Sequence, residues 1–323
     1  MKIIKDKIFL LYIYEIMFKS KYKFKFILLL IILLTYYCII LFISKFRIWH
    51  YYLKRVKYLK KYHVIYNESN LKTLQDKINW LIIHDSNELK SKCADKILLH
   101  EYSKKKLGKD ICNQILKIYN NTREIQLNEL PDKFVLKTNH GSGFNIIVNN
   151  KTKFDYINAK KNLNKWLNLD FGRIFMEFHY SFIKRKIFAE EFIGDDLKNY
   201  KFMCYKGKPK YVYLSIKENN KKYRNFYDME WNFLNFHCLS KPHPTQNFSK
   251  PKFFGLMKRY ASILSNDFIF VRVDFYELEN EIRLGELTFT PMGSFFYCKN
   301  KSHEIELGKE IKINQKLDEK NLK

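Results

Sequence analysis

The stretch Val271-Arg272-Val273-Asp274-Phe275-Tyr276, followed shortly by Ile282-Arg283-Leu284-Gly285-Glu286-Leu287-Thr288-Phe289, reads as two alternating strands joined by a hairpin. With a loop at residues 279–281, Asp274 lies opposite Glu286 and Arg272 opposite Thr288 on one face of the ribbon. The other face holds Val271, Val273, Phe275, Leu287 and Phe289, which is a core face. Directly opposed carboxylates repel, at a cost of about a few tenths of a kcal/mol or more. A divalent cation between them removes that cost, and two carboxylates that leave water positions open suit Mg²⁺ shared with nucleotide phosphates. The alternative is a solvated charged face held by an ordinary Arg272–Asp274–Glu286 network.

Working outward, β-rich segments are expected at 134–138, 144–148, 186–193, 200–205, 211–216, 269–276 and 282–289. Lys206-Gly207 marks a second hairpin turn. Helical periodicity covers 74–83, 95–107 and 253–265. Adjacent strands joined by short turns give antiparallel sheets, so the expected class is α+β rather than a doubly wound parallel fold.

Residues 134–148 read strand, tight loop, strand, with the loop Asn139-His140-Gly141-Ser142-Gly143. Gly141 and Gly143 let the backbone approach a ligand, successive N–H groups suit an anion, and Lys137 adds a cation. An ordinary hairpin turn is the competing meaning. No GK[ST] follows, so this is not a Walker A loop. The segment Lys186-Ile187-Phe188-Ala189-Glu190-Glu191-Phe192-Ile193 is an apolar strand ending in acids.

The 323 residues are 46% hydrophobic with only 10 Gly and 6 Pro, which excludes a disordered or collagen-like chain. The net charge of +26 is uneven: residues 1–66 carry 14 basic and two acidic side chains. Within them, residues 26–43 form an 18-residue run without a charge, flanked by Lys21, Lys23, Lys25, Lys45 and Arg47. That run is expected to span a membrane, with a buried core helix as the alternative. The six cysteines form no CxxC pair, so free thiols in a reducing compartment are expected and a zinc site is not.

Taken in order, the segments resemble an ATP-grasp enzyme, and more closely the TupA-like ATP-grasp family, named for teichuronopeptide biosynthesis. The resemblance covers about residues 67–312 and includes Ala94-Asp95-Lys96, Leu130-Pro131-Asp132-Lys133-Phe134-Val135-Leu136-Lys137, the glycine loop, Ala189-Glu190-Glu191-Phe192, Tyr200-Lys201-Phe202 and Gly285-Glu286-Leu287-Thr288. It implies two α+β lobes whose antiparallel sheets clasp ATP, behind an N-terminal segment 1–66 and ahead of a polar tail 313–323. It implies ATP and Mg²⁺ as cofactors and a ligase that activates a carboxylate as an acyl phosphate for attack by an amine. Lys137 would hold the ATP phosphates under Gly141, Ser142 and Gly143. Glu190, Glu191, Phe192 and Ile193 would form the hinge strand at the adenine, and Lys201 would contact phosphate or substrate. Asp274, Glu286 and Thr288 would bind Mg²⁺, with Thr288 standing where many ATP-grasp enzymes have Asn. Arg272 would steady the transferring phosphoryl group, and Gly293 would belong to the turn that helps hold the acyl oxygen.

The expected role is the building or modification of a cell-surface polymer, with an anionic polymer or an amino acid as substrate, at the cytoplasmic face of a bacterial inner membrane or in the cytoplasm. A glycosyltransferase of surface-polysaccharide synthesis is an alternative, against which no short D-x-D occurs. A non-catalytic basic protein binding a membrane surface or nucleic acid is another. No recognition helix or aromatic platform supports nucleic acid as partner.

Overall fold

The computed structural model describes residues 70–313 except 196, 220, 246 and 247, together with the isolated positions 32, 34 and 35. The expected span at 26–43 therefore lies outside the described residues apart from Ile32, Leu34 and Thr35, as does most of segment 1–66 and the tail beyond 313. Among the described residues no helix is long and apolar enough to cross a membrane.

Helix α1 (Leu74–His84) opens on a capping box, in which the Thr73 hydroxyl accepts from the Asp76 N–H and the Asp76 carboxylate from the Thr73 N–H. Then come α2 (Glu88–Ala94), α3 (Leu99–Leu107), β1 (Ile115–Tyr119), β2 (Phe134–Thr138), β3 (Asn145–Val148), α4 (Tyr156–Asn168), α5 (Phe171–Phe175) and β4 (Ile187–Glu191). The second half holds β5 (Asn199–Tyr205), β6 (Lys208–Glu218), β7 (Lys221–Tyr227), β8 (Phe233–Leu234), α6 (Phe254–Ser265), β9 (Phe270–Glu277), β10 (Ile282–Thr288) and α7 (Lys301–Lys309). These form a four-stranded sheet, order β1-β4-β2-β3, and a six-stranded sheet, order β10-β9-β5-β6-β7-β8. Every pairing between these strands is antiparallel, which bears out the α+β expectation.

The expected helix at 95–107 begins later. Asp95 Oδ1 accepts from the N–H groups of Ile97 (2.8 Å) and Leu98 (3.3 Å), so the aspartate closes a turn and the helix starts at Leu99. Helices α2, α4, α5 and α7 and strands β1, β7 and β8 were not expected from the sequence.

Alternation in the strands builds three apolar cores. One face of the six-stranded sheet (Phe202, Val271, Val273, Phe275, Leu287) packs on Phe254, Met257, Ala261 and Leu264 of α6, which recur at helical spacing. The other face (Met203, Tyr205, Tyr213, Phe226, Phe270) packs on α1 and α7 through Leu74, Ile78, Leu81 and Leu307. The four-stranded sheet packs Phe134, Leu136, Ile187 and Ala189 against Leu163 of α4.

The expectation that the cysteines are free thiols is corrected at one pair: Cys238 and Cys298, 60 residues apart, form a disulfide. They face each other on an isolated antiparallel bridge and are fully buried, a proximity that spacing along the chain does not show. Cys93, Cys112 and Cys204 are free and buried.

Helix α7 is seated by close backbone approach. A Cβ on Gly308 would lie 2.4 Å from the Leu74 nitrogen and 2.6 Å from the Thr73 carbonyl carbon. Backbone cannot turn aside as a side chain can. Gly308→Ala should therefore lower stability by roughly 1–3 kcal/mol, the usual penalty for overpacking, read as a shift of the urea unfolding midpoint.

Candidate active site

The hairpin β9–β10 brings Asp274 opposite Glu286 and Arg272 opposite Thr288, the pairing expected from the sequence. The route to it differs. At the turn, Leu278 N–H donates to Glu281 O, and Ile282 pairs with Glu277, one residue out of step with the expected register. A bulge between Leu284 and Glu286 takes up the extra residue at Gly285. It allows Leu284 and Leu287, three residues apart, both to enter the core while Glu286 keeps to the charged face.

That face is covered rather than solvated. Along β5 and β9 it runs from the apolar pair Tyr205–Phe270 through Met203–Arg272 to Lys201–Asp274. Arg272 Nε donates to Asp274 Oδ1 (2.6 Å) and Nη2 to Asp274 Oδ2 (2.7 Å), a bidentate pair. The same Nη2 also reaches Glu286 Oε1 (2.7 Å) and Thr288 Oγ1 (3.0 Å), while Nη1 reaches the Tyr213 hydroxyl (3.2 Å). Thr288 in turn donates to Glu286 Oε1 (2.9 Å), and Lys201 is ion-paired with Asp274. The alternative Arg272–Asp274–Glu286 network is thus present, but buried: the Asp274 side chain is 1% exposed and that of Glu286 32%.

Burial alone would raise the Glu286 carboxyl, but Arg272, Lys201 and Lys96 override it and hold Glu286 well below the usual carboxylate range. For Asp274 burial prevails and pushes the carboxyl up against the pull of Arg272 and Lys201. Burial lowers Lys201, and the neighbouring Arg272 adds to that.

From the other sheet, Lys137 on β2 is ion-paired with Glu190 on β4, which also accepts from Asn113 Nδ2 (3.1 Å). Glu191 turns the other way, accepting the Gln114 N–H (2.9 Å) and pairing with Arg283 at 3.6 Å. Phe192 and Ile193 follow the strand end, half-buried. Gly141 (φ 80°) and Gly143 (φ 77°) hold left-handed conformations in the loop between β2 and β3, with Ser142 and Gly143 exposed at its tip. A Cβ on Gly141 would meet the Phe171 ring at 2.7 Å, so glycine is required there for space as well as for φ.

The residue that joins the two groups is Lys96, named in the sequence only as part of the Ala94-Asp95-Lys96 triplet. Its ammonium donates to Gly141 O (2.6 Å). Burial lowers it, and Lys137 lowers it further, while Glu286, Asp95 and Glu190 oppose the shift. Asp95 and Asn139 place it: Asn139 Nδ2 donates to Asp95 Oδ2 (2.9 Å), and the Lys96 N–H donates to Asn139 O (3.1 Å). Asn139 Oδ1 accepts from the Lys186 N–H (2.7 Å), fixing the loop to the start of β4 as well.

Gly293 (φ 61°) lies in the kinked turn Pro291–Ser294 in a left-handed conformation, where its N–H donates to Thr290 O (2.9 Å). Thr290 Oγ1 donates to the buried Glu177, and Tyr180 is raised by burial and then by the charges of Glu177 and Glu286. Glu177 is therefore an acid at the edge of the cluster that no sequence motif marked.

The all-oxygen donor set of Asp274, Glu286 and Thr288 on one face suits a hard cation such as Mg²⁺. Glu286, ionised and the more exposed of the two acids, fits directly. Both oxygens of Asp274 are engaged by Arg272 and Lys201, so Asp274 joins only if one of those cations turns toward a phosphate.

The chain matches the family model described as TupA-like ATPgrasp over residues 76–312. No curated protein matches it in sequence. Among solved structures it is similar to the D-alanine–D-alanine ligase of Helicobacter pylori, at 16% identity over 68% of this chain and 58% of that one, with TM-score 0.38. It is also similar to the D-alanine–D-alanine ligase of Bacillus anthracis complexed with ATP, at 11% identity over 76% and 75% of the chains, with TM-score 0.46. The ATP-grasp ligase PsnB complexed with minimal precursor matches at 7% identity over 64% of this chain and 54% of that one, with TM-score 0.38. The chain thus spans little more than half the length of the Helicobacter pylori ligase and of PsnB.

His140 tests the anchoring of the glycine loop. Its Nε2 donates to Trp166 O (3.1 Å) and Leu169 O (3.3 Å). Burial, with smaller contributions from Arg185 and Lys96, lowers its pKa from 6.5 to about 4. Above pH 6.5 folded and unfolded chains both carry neutral imidazole, and the stabilisation is complete. Between 6.5 and about 4 only the unfolded chain takes the proton, so stability falls with pH. At about 1.4 kcal/mol per unit the loss reaches roughly 3 kcal/mol. Urea midpoints from pH 7 to 4.5 should show this slope in the wild type, and His140→Gln should flatten it.

Proposed function

The chain belongs to the TupA-like ATP-grasp family, and from that premise we propose that it is an ATP- and Mg²⁺-dependent carboxylate–amine ligase that modifies a cell-surface polymer. The carrying observation is geometric: Asp274 and Glu286 face each other on β9–β10 with Arg272 and Lys201 beside them, and Lys96 donates to Gly141 O in the loop that follows Lys137. In the reaction proposed, a substrate carboxylate oxygen attacks the γ-phosphorus of ATP and ADP leaves. An amine then attacks the acyl carbon, inorganic phosphate departs with the C–O electron pair, and the amine gives up a proton.

Lys96 and Lys137 hold phosphate oxygens beneath the loop of Gly141, Ser142 and Gly143. Glu190, Glu191, Phe192 and Ile193 form the hinge strand at the adenine. Glu286 and Thr288, joined by Asp274 once Lys201 turns toward a phosphate, would hold Mg²⁺, which would draw charge from the transferring phosphoryl oxygens. Arg272, fixed by Asp274 and Tyr213, presents its charge to the phosphoryl group without reorganising. Lys201 balances Asp274 and is the cation free to exchange toward phosphate or substrate. The turn of Gly293 holds the acyl oxygen.

The substrate class rests on the family and on charge. Residues 67–323 carry 45 basic and 31 acidic side chains, a surface suited to an anionic polymer or to an amino acid destined for one. The proposed location is the cytoplasmic face of a bacterial inner membrane, with residues 26–43 as the anchor.

Titrating the full-length protein with MgATP should give saturable binding, and its absence would sink the ligase reading. Lys137→Ala should weaken ATP at least tenfold, about 1.4 kcal/mol, with the fold retained by circular dichroism. Glu286→Gln should retain ATP binding but lower kcat on the order of 100-fold, the scale of losing one charge-stabilising group. The assay is ADP release against pairs of carboxylates and amines, and full turnover by Glu286→Gln would remove the metal assignment.

A further inference from the structure

Outside the cluster just described, the turn after α3 folds three donors that lie close in the chain onto one another. His100 lies on α3, Asp110 in the loop after that helix, and Cys112 just before β1. One ligand atom from each lies within 4.8 Å of the other two. His100 Nδ1 is 2.6 Å from Asp110 Oδ2, and Asp110 Oδ1 accepts the Cys112 N–H at 3.0 Å, so the aspartate is oriented toward both partners. Cys112 is buried, His100 half-buried and Asp110 exposed, which leaves an open side for solvent and for an incoming ion.

The geometry points to a divalent transition-metal site formed by His100, Asp110 and Cys112, of the type that takes Zn²⁺. The donor set decides the ion. A thiolate and an imidazole with one carboxylate match the soft and borderline preferences of Zn²⁺ and are a poor match for Mg²⁺. Tetrahedral Zn²⁺, with Zn–N and Zn–O of about 2.0–2.2 Å and Zn–S of about 2.3 Å, needs donors about 3.4–3.6 Å apart. The 4.8 Å group contracts to that by side-chain rotation, while the His100–Asp110 contact opens slightly. Three protein ligands leave the fourth position to water. On binding, Cys112 coordinates as the thiolate and releases one proton to solvent.

The location indicates a structural role. Residues 111–114 are the joint between the two sheets. Leu284 N–H of β10 donates to Ile111 O (2.8 Å), Cys112 forms a parallel bridge with Leu284, and Asn113 and Gln114 hold Glu190 and Glu191 of β4. An ion tying Cys112 to His100 clamps α3 onto that joint and limits how the sheets move against each other.

The test uses the untagged full-length protein under reducing conditions with Co²⁺, a spectroscopic stand-in for Zn²⁺. The expected result is one equivalent of Co²⁺ with a thiolate-to-cobalt charge-transfer band, bleached when Zn²⁺ displaces it. Zn²⁺ should also raise the melting temperature. Cys112→Ser should abolish the band. His100→Gln, at a half-buried position, should weaken Co²⁺ at least tenfold and remove the thermal shift, and it decides the matter if the serine variant fails to fold. Glu286→Gln should leave the band intact, which separates this site from the Mg²⁺ ligands. No charge-transfer band in the wild type, a band that survives Cys112→Ser, or unchanged Co²⁺ affinity in His100→Gln overturns the proposal.

Discussion

One guanidinium makes the rest of the site possible. Asp274 and Glu286 face each other across a hairpin on a largely buried face, an arrangement that repels by itself. Arg272 resolves it by donating to both acids, to Thr288 and to Tyr213, while Lys201 balances Asp274. Such a cluster is an uncertain source of stability, because desolvating each ion costs several kcal/mol before attraction offsets it. Removing one partner would strand a buried charge, so each member of the cluster depends on the others being present.

A second constraint joins the halves. Asn139 binds Asp95, the backbone of Lys184 and Lys186 and the N–H of Lys96, so one amide sets the glycine loop, the lysine turn and the start of β4 at once. Residues 111–114 pair with β10 and hold the acids that end β4, so they connect the two sheets directly.

The hairpin shows how far the sequence could be read. The pairing of Asp274 with Glu286 followed from alternation, but the turn is tighter than expected, and the agreement depends on a bulge at Gly285. The signal for that bulge was present: Leu284 and Leu287 are both apolar and three apart, which strict alternation cannot place on one core face. Lys96 carried no local signal, because an isolated lysine after an aspartate has the appearance of a solvated turn. The disulfide between Cys238 and Cys298 was equally hidden, since its partners, both outside the named strands, meet only when their two loops fold against the same core.

Alternation, turn residues and the order of short motifs were sufficient, from the sequence alone, to establish antiparallel α+β architecture, the hairpin with its opposed carboxylates and the glycine loop after Lys137. These are properties of residues close in the chain, where pleat and turn geometry dictate which side chains share a face. Tertiary structure alone decided that the charged face is covered, that the Arg272–Asp274–Glu286 network forms on it, that Lys96 reaches the glycine loop, and that His100, Asp110 and Cys112 converge. Those outcomes depend on which apolar faces pack together and on where each helix and turn then aims its side chains, and spacing along the chain holds no record of either.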